Sequence, residues 1–191
     1  GKYKFFENAV VESDLFNATN HALTSDEETE RAIAASSIAN KKGWVLDLGG
    51  SGEKVLASPL IIDYKILFTT YMPSVNNASS CAPPEGNSRA YLVNLFNANA
   101  VRDINNDGIL QDGDRSVDLL QPGIAPEPGI IVQDDPIVCV GTECASAVIK
   151  DDEDGNPQAC TSPFGCLSEN IFGRYERVRR GSWHSETERE Q

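Results

Sequence analysis

The chain reads as a mainly β protein with one surface helix and one acidic loop, and three observations predict this. Between Trp44 and Phe96, short apolar runs rich in β-branched and aromatic residues alternate with Gly, Pro and Asn punctuation. A single stretch, about 25–42, keeps a helical period. Residues 103–114, "DINNDGILQDGD", gather four Asp, two Asn and two Gly into one loop.

The helix is predicted by "LTSDEETERAIAASSIANKKG". Ser25 as N-cap and Glu28 three residues on would form a capping box, with acidic residues filling the first turn. Lys41 and Lys42 follow the last turn, and Gly43 suits a stop. Ile33, Ala34 and Ile38 make a narrow apolar stripe, so the helix is expected on the outside of the body.

After Gly43 the pattern becomes extended. "WVLDL" (44–48) is read as a strand and "GGSG" as a turn. "VLASPLII" (55–62) follows, and its Pro59 predicts an edge or a bulge. "DYK" turns the chain into "ILFTTYM" (66–72). A long loop, "PSVNNASSCAPPEGNS", then leads to "RAYLVNLF" (89–96). Four consecutive strands, three of them joined by short turns, describe an antiparallel meander of the kind that makes one propeller blade. The complete blade is therefore expected at about 44–96.

With 191 residues the chain is long enough for one domain with a sizeable core. Its net charge of −13 argues against a partner read through Lys and Arg contacts to phosphate, and favours cation binding. No apolar run approaches the roughly 18 residues that span a bilayer. The opening "GKYKFF", with Met72 the sole methionine and no signal peptide, predicts a processed or expressed piece of a larger protein.

The acidic loop has the chemistry of a calcium site. Such a loop needs hard oxygen ligands at alternate positions and a sharp turn at the sixth. With Asp103 as the first position, Asn105 is the third, Asp107 the fifth and Gly108 the sixth. Ile109, the seventh, would offer its backbone carbonyl, and Gln111, the ninth, could act directly or through water. Asp114 is the twelfth, an arrangement that resembles dockerin-type loops. The plainer reading, a polar "NDG" turn, explains Asn and Gly but does not require Asp at 103, 107 and 114. The flanks lack the helix period of a paired sensor hand, which argues against a calcium-opened groove. The second acidic run, "DDEDGN" (151–156), lacks the alternation and reads as a solvated hairpin loop.

Four of the five cysteines, Cys139, Cys144, Cys160 and Cys166, crowd the last third of the chain. A four-thiol zinc site is the alternative. The wide Cys160–Cys166 spacing and the lack of a histidine among them favour local disulfides and an oxidising compartment. The pairs expected are Cys139 with Cys144 and Cys160 with Cys166, each restraining a loop tip more than the core. Cys81 is left over, either free or paired with upstream chain.

Several motifs of other chemistries are missing. "GGSGEK" has neither the spacing nor the ending of a phosphate loop, and it is no nucleophile elbow. His21 and His184 lie near segment ends and read as surface residues. Trp44 and Trp183 read as core or closure residues. The sequons at Asn17 and Asn77 matter only in a eukaryotic source.

Taken together, "GWVLDL…GEKVLASPLIIDYKILFTTYMPS…C…SRAYLVNLFNANAV" resembles the C-terminal propeller of the PilC/PilY family of type IV pilus tip proteins. "VESDLFNAT" is similar to the acidic lead-in of that region, "GIAPEPGIIV" to a downstream segment and "RRGSWHSE" to its end, so the resemblance covers about residues 11–183. Asn97-Ala98-Asn99 stands where the family has a Thr-Gly turn, Ser182-Trp183-His184 departs from the family's ending, and the cysteine-rich insert at about 139–166 matches no hallmark of the family. The resemblance implies that residues 1–191 are the C-terminal part of a β-propeller of antiparallel four-stranded blades. The basic run "RYERVRR" (174–180) would open a closing strand at about 174–183. It implies a non-enzymatic, calcium-binding module acting in pilus biogenesis, adhesion and twitching motility. Pilin or minor pilin subunits at the pilus tip and a host-surface receptor would be its partners, outside a Gram-negative cell. The alternative is a fragment of a quinoprotein-type propeller dehydrogenase, for which no cofactor-pocket residues are evident.

Overall fold

The computed structural model describes residues 9–20, 23, 28–74, 85–105, 107–156 and 158–173. Its strands are β1 (Leu15–Asn17), β2 (Gly43–Val45), β3 (Lys54–Val55), β4 (Leu60–Ile62), β5 (Lys65–Met72), β6 (Asn87–Asn94), β7 (Ser116–Asp118), β8 (Gly129–Ile131), β9 (Ile137–Val140) and β10 (Glu143–Ser146). Two helices, α1 (Glu28–Ala39) and α2 (Pro163–Ser168), complete it. The protein is mainly β.

The β5–β6 hairpin is the frame. Its alternating side chains divide cleanly between two faces. Leu67, Ala90 and Leu92 enter one apolar cluster, while Phe68, Tyr91 and Val93 enter another. Phe68 lies directly opposite Tyr91, and their rings stack at 4.9 Å. Each buried Leu or Phe of this kind contributes about 1.5–3 kcal/mol.

The meander is shifted from its expected bounds. "WVLDL" is not its first strand: β2 pairs parallel with β1, Trp44 opposite Phe16. Its backbone groups are taken by the lead-in, with Ala18 N–H donating to Val45 O and Asp47 N–H to Thr19 Oγ1. Leu46 and Leu48 instead pack against the Phe68–Tyr91 cluster as covering side chains, together with Trp44. The Trp44 indole donates to Leu95 O at 2.9 Å, the part-buried role expected of it.

The first strand of the meander is the split one. β3 and β4 both pair with β5, and Pro59 stands in the gap between them, on the sheet edge where a missing N–H is tolerated. Asp63 and Tyr64, both at positive φ, form the two-residue turn into β5. The fourth strand is β7, which pairs with β6 through Arg89–Asp118 and Tyr91–Ser116. The four-stranded unit therefore runs from Lys54 to Asp118, rather than over 44–96.

The Leu92 face of this sheet is covered by the antiparallel sheet β8–β9–β10 and by α2. Val138, Val140, Phe164, Leu167 and Ile171 fill the space between them. The cysteine-rich stretch is thus a second structural layer, where only restrained tips were expected. Helix α2 went unanticipated: Ser162 caps it by accepting Gly165 N–H at 3.0 Å, with Pro163 at its start.

Helix α1 lies on the surface as expected, but its stripe is narrower. Ala34 is buried, Ile38 is half-buried and Ile33 is 68% exposed. The helix stops at Ala39, and Gly43 already belongs to β2. Lys41 and Lys42 tie this end to the lead-in, through Ser13 O and Asp14 respectively. Ser25, His21, Cys81, Asn77, the proposed closing strand 174–183 and His184 lie outside the described residues.

A carboxylate that sequence reasoning passed over knits the meander together. The Glu53 side chain is fully buried, and its Oε1 accepts from Thr70 Oγ1 at 2.6 Å and Tyr91 OH at 3.0 Å. Its Oε2 accepts Gly50 N–H at 2.8 Å, and Arg89 Nη1 stands 3.9 Å away. A side chain at Gly50 would collide with Met72 and with Glu53 itself.

Candidate cation-binding loop

The loop does not sit at a hairpin end. The β6–β7 turn closes at residues 95–98, where Ala98 N–H donates to Asn94 O and Asn94 N–H to Asn99 O. Ala100 then bridges Val93 on the returning strand, and the ladder resumes only with Ser116 opposite Tyr91. Residues 101–115 are an excursion out of the fourth strand. Val101 and Ile104 anchor it by packing onto the Leu92 face.

Within the excursion the acidic and amide side chains fold back on their own backbone. Asp103 Oδ2 accepts Gly108 N–H at 2.7 Å, where Gly108 takes a φ of +87°. Asn105 Oδ1 accepts Asp107 N–H at 2.9 Å, and Asp107 Oδ1 accepts Ile109 N–H at 2.8 Å. Asp107 Oδ2 receives both the Asn105 and the Gln111 side-chain amides, at 2.9 and 2.6 Å. Asn105, Asp107 and Ile109 are exposed and Asp103 is half-buried.

Asp114 anchors the other end. It is 1% exposed, and its two oxygens accept Ile104 N–H at 3.1 Å and Gln111 N–H at 2.9 Å. One carboxylate thus ties the start of the loop to its last turn. A carboxylate has about four lone-pair sites, so both oxygens retain acceptor capacity.

The fourth aspartate has a separate task. Asp112 Oδ1 lies 2.9 Å from Arg115 Nη1, which also donates to Thr19 O at 3.1 Å. Burial pushes the Arg115 guanidinium down while Asp112 pulls it up. Arg115 is 3% exposed and gave no sequence signal as a structural residue.

Among the described residues, no three His, Cys, Asp or Glu side chains converge as a metal-binding group. The side-chain oxygens of Asp103, Asp107 and Asp114 are taken up by N–H groups of the loop's own backbone and, at Asp107 Oδ2, by side-chain amides, instead of a shared centre. One atom breaks that pattern: Asp103 Oδ1 is buried and has no hydrogen-bond partner. A buried carboxylate oxygen left so costs about 1–3 kcal/mol or more, and a cation would remove that cost. The donor set of carboxylates, amide oxygen and backbone carbonyl is all hard oxygen, which suits calcium.

A cleft of about 370 Å³ opens beside the start of the loop. Arg102, Asp103 and Ile104 line it together with Cys160, Cys166 and Glu169. Burial pushes the Glu169 carboxyl up, against the pull of Arg102 and Lys150.

Cys139 is joined to Cys144 and Cys160 to Cys166, the pairs expected from spacing. The first links directly opposed residues of β9 and β10, and the second ties the 158–160 segment to α2. The run 151–156 is an exposed turn, with Asp152 Oδ1 accepting the N–H groups of Asp154 and Asn156. Among the described residues no helix is long and apolar enough to cross a membrane. The two disulfides fit an oxidising compartment. No protein-family model, no curated protein and no solved structure matches the chain.

Proposed function

We propose that this chain is a non-enzymatic calcium-binding module, one part of a propeller in a type IV pilus tip-associated protein. The observation that carries the calcium reading is the loop itself. Oxygen donors alternate along it, and the first of them, Asp103, keeps a buried oxygen without a partner. Asp103, Asn105, Asp107, the Ile109 carbonyl and Asp114 would hold the ion. A bound calcium would neutralise the loop's carboxylates and fix the path of residues 101–115 across the Leu92 face.

The architecture supports a blade. A four-stranded antiparallel meander with a three-stranded antiparallel sheet on one face is compatible with one blade packed on part of the next. The pilus assignment, with pilin subunits and a surface receptor as partners, rests on the resemblance over residues 11–183. Calcium would then act in pilus extension, retraction or adhesion by favouring one of two states.

Calorimetry of the metal-stripped protein with calcium chloride is the test. Affinity is expected in roughly the micromolar to millimolar range of extracellular sites. Asp107→Ala should abolish the heat and cost less than about 0.5 kcal/mol in stability, because Asp107 is exposed. No heat at millimolar calcium in the unaltered protein would return the loop to a polar excursion.

A further inference from the structure

We infer that the Cys160–Cys166 disulfide is a redox latch on the cation loop, an inference that rests on the calcium reading above. The cleft beside the loop is shared property: Arg102, Asp103 and Ile104, which begin the loop, line it together with Cys160, Cys166 and Asn170. A continuous set of contacts joins the two. Asn170 Nδ2 donates to Cys166 O at 2.6 Å, and Asn170 Oδ1 accepts from Arg102 Nη1 at 3.4 Å. Arg102 immediately precedes Asp103, the loop's first ligand position. Asn170 is 7% exposed, so its place is fixed by its surroundings and not by solvent.

Apolar packing runs along the same path. Ile104, which donates its N–H to Asp114, packs against the cluster that includes Leu167 and Ile171. The start of the candidate ligand set, and through the Ile104 N–H its last member Asp114, therefore adjoin the cluster that α2 helps to form. Neither cysteine is fully buried, and both line the open cleft, where a small dithiol can reach them. Cys139 and Cys144 line no part of that cleft.

The step needs a dithiol reductant. One of its thiolates attacks Sγ of Cys160 or Cys166, and the protein S–S bond breaks as a mixed disulfide forms. The second thiolate of the reagent displaces the remaining protein sulfur. The protein gains two electrons and two protons as two thiols, and the reagent leaves as its cyclic disulfide. Freed from Cys160, α2 and Asn170 lose their tie to the 158–160 segment. Arg102 then loses its fixed partner, and Asp103 is no longer held in place for a cation.

The experiment compares calcium calorimetry on three forms of the full chain: oxidised, Cys160→Ser/Cys166→Ser and Cys139→Ser/Cys144→Ser. Binding to the first double variant should weaken at least about fivefold, the low end of ordinary coupling between sites. The second double variant should match the oxidised protein. Linkage is reciprocal, so calcium should shift the equilibrium of Cys160–Cys166 with dithiothreitol toward the disulfide in the unaltered protein and leave that of Cys139–Cys144 unaffected. That measurement decides the matter if a serine variant does not fold. Equal affinity in all forms, or equal weakening by both double variants, overturns the latch and leaves the calcium reading standing. Absence of calcium binding in every form, the oxidised protein included, overturns both.

Discussion

Glu53 and Asp114 are both buried carboxylates, yet they are satisfied in opposite ways. Beside the local Gly50 N–H, Glu53 draws two donors from far along the chain, the Thr70 hydroxyl on β5 and the Tyr91 hydroxyl on β6. Asp114 draws its donors from within its own loop, Ile104 N–H and Gln111 N–H. A carboxylate with distant donors holds elements together. One with local donors sets the path of a single excursion, and the sheet is indifferent to it. The loss of Glu53 should therefore be felt in stability, and the loss of the loop acids in binding.

The largest effect is expected from Glu53→Ala. It leaves two hydroxyls and one N–H without an acceptor in a dry site, each costing about 1–3 kcal/mol, and it removes the carboxylate facing Arg89. Unfolding in denaturant should show a loss of about 3 kcal/mol or more. The folded fraction should still give the calcium heat of the unaltered protein. A loss under about 1 kcal/mol would show that the meander does not depend on this carboxylate.

Asp114→Ala sharpens the comparison, because Asp114 is both buried and a candidate ligand. Its removal orphans Ile104 N–H and Gln111 N–H at the two ends of the excursion. An expected loss of about 1–2 kcal/mol follows, together with loss of the calcium heat. Retained calcium binding would remove Asp114 from the ligand set and leave it a purely structural tie.

The same contrast explains what was legible beforehand. The β5 and β6 strands announce themselves because eight residues in each alternate between two buried faces. The acidic stretch was legible as a loop because Asp, Asn and Gly at that density need no tertiary context to break a strand. β7 was not legible: three residues, "SVD", carry no period, and their place is set by pairing with Arg89–Tyr91 across the excursion. "WVLDL" had the right pattern and the wrong partner, since alternation says which side is apolar but not which strand lies alongside. Short α2, begun by Pro163 and containing Gly165, has no amphipathic signature, and only its packing into the core makes it a helix. Arg115 and Glu53 look like any surface charge until the fold buries them.

The smallest effect concerns Tyr91, through which the Glu53 network reaches the stacked ring of Phe68. Burial first, and then the neighbouring Glu53 charge, push the Tyr91 phenol above its ordinary value of 10.0, against the pull of Arg89. An unfolded tyrosine ionises near that ordinary value, so above pH 10 the unfolded chain loses this proton before the folded one does. The folded state then holds more protons than the unfolded state, and stability falls as pH rises. The contribution is fully present below about pH 10 and is gone once the folded-state value has been passed. Ultraviolet titration of phenolate should show a late-ionising tyrosine in the folded protein. Glu53→Gln should bring that ionisation earlier, because the carboxylate charge is gone while much of the burial stays. If every tyrosine ionises together near pH 10 before unfolding begins, Tyr91 is not shielded within this network, and the contrast between the two carboxylates loses its electrostatic half.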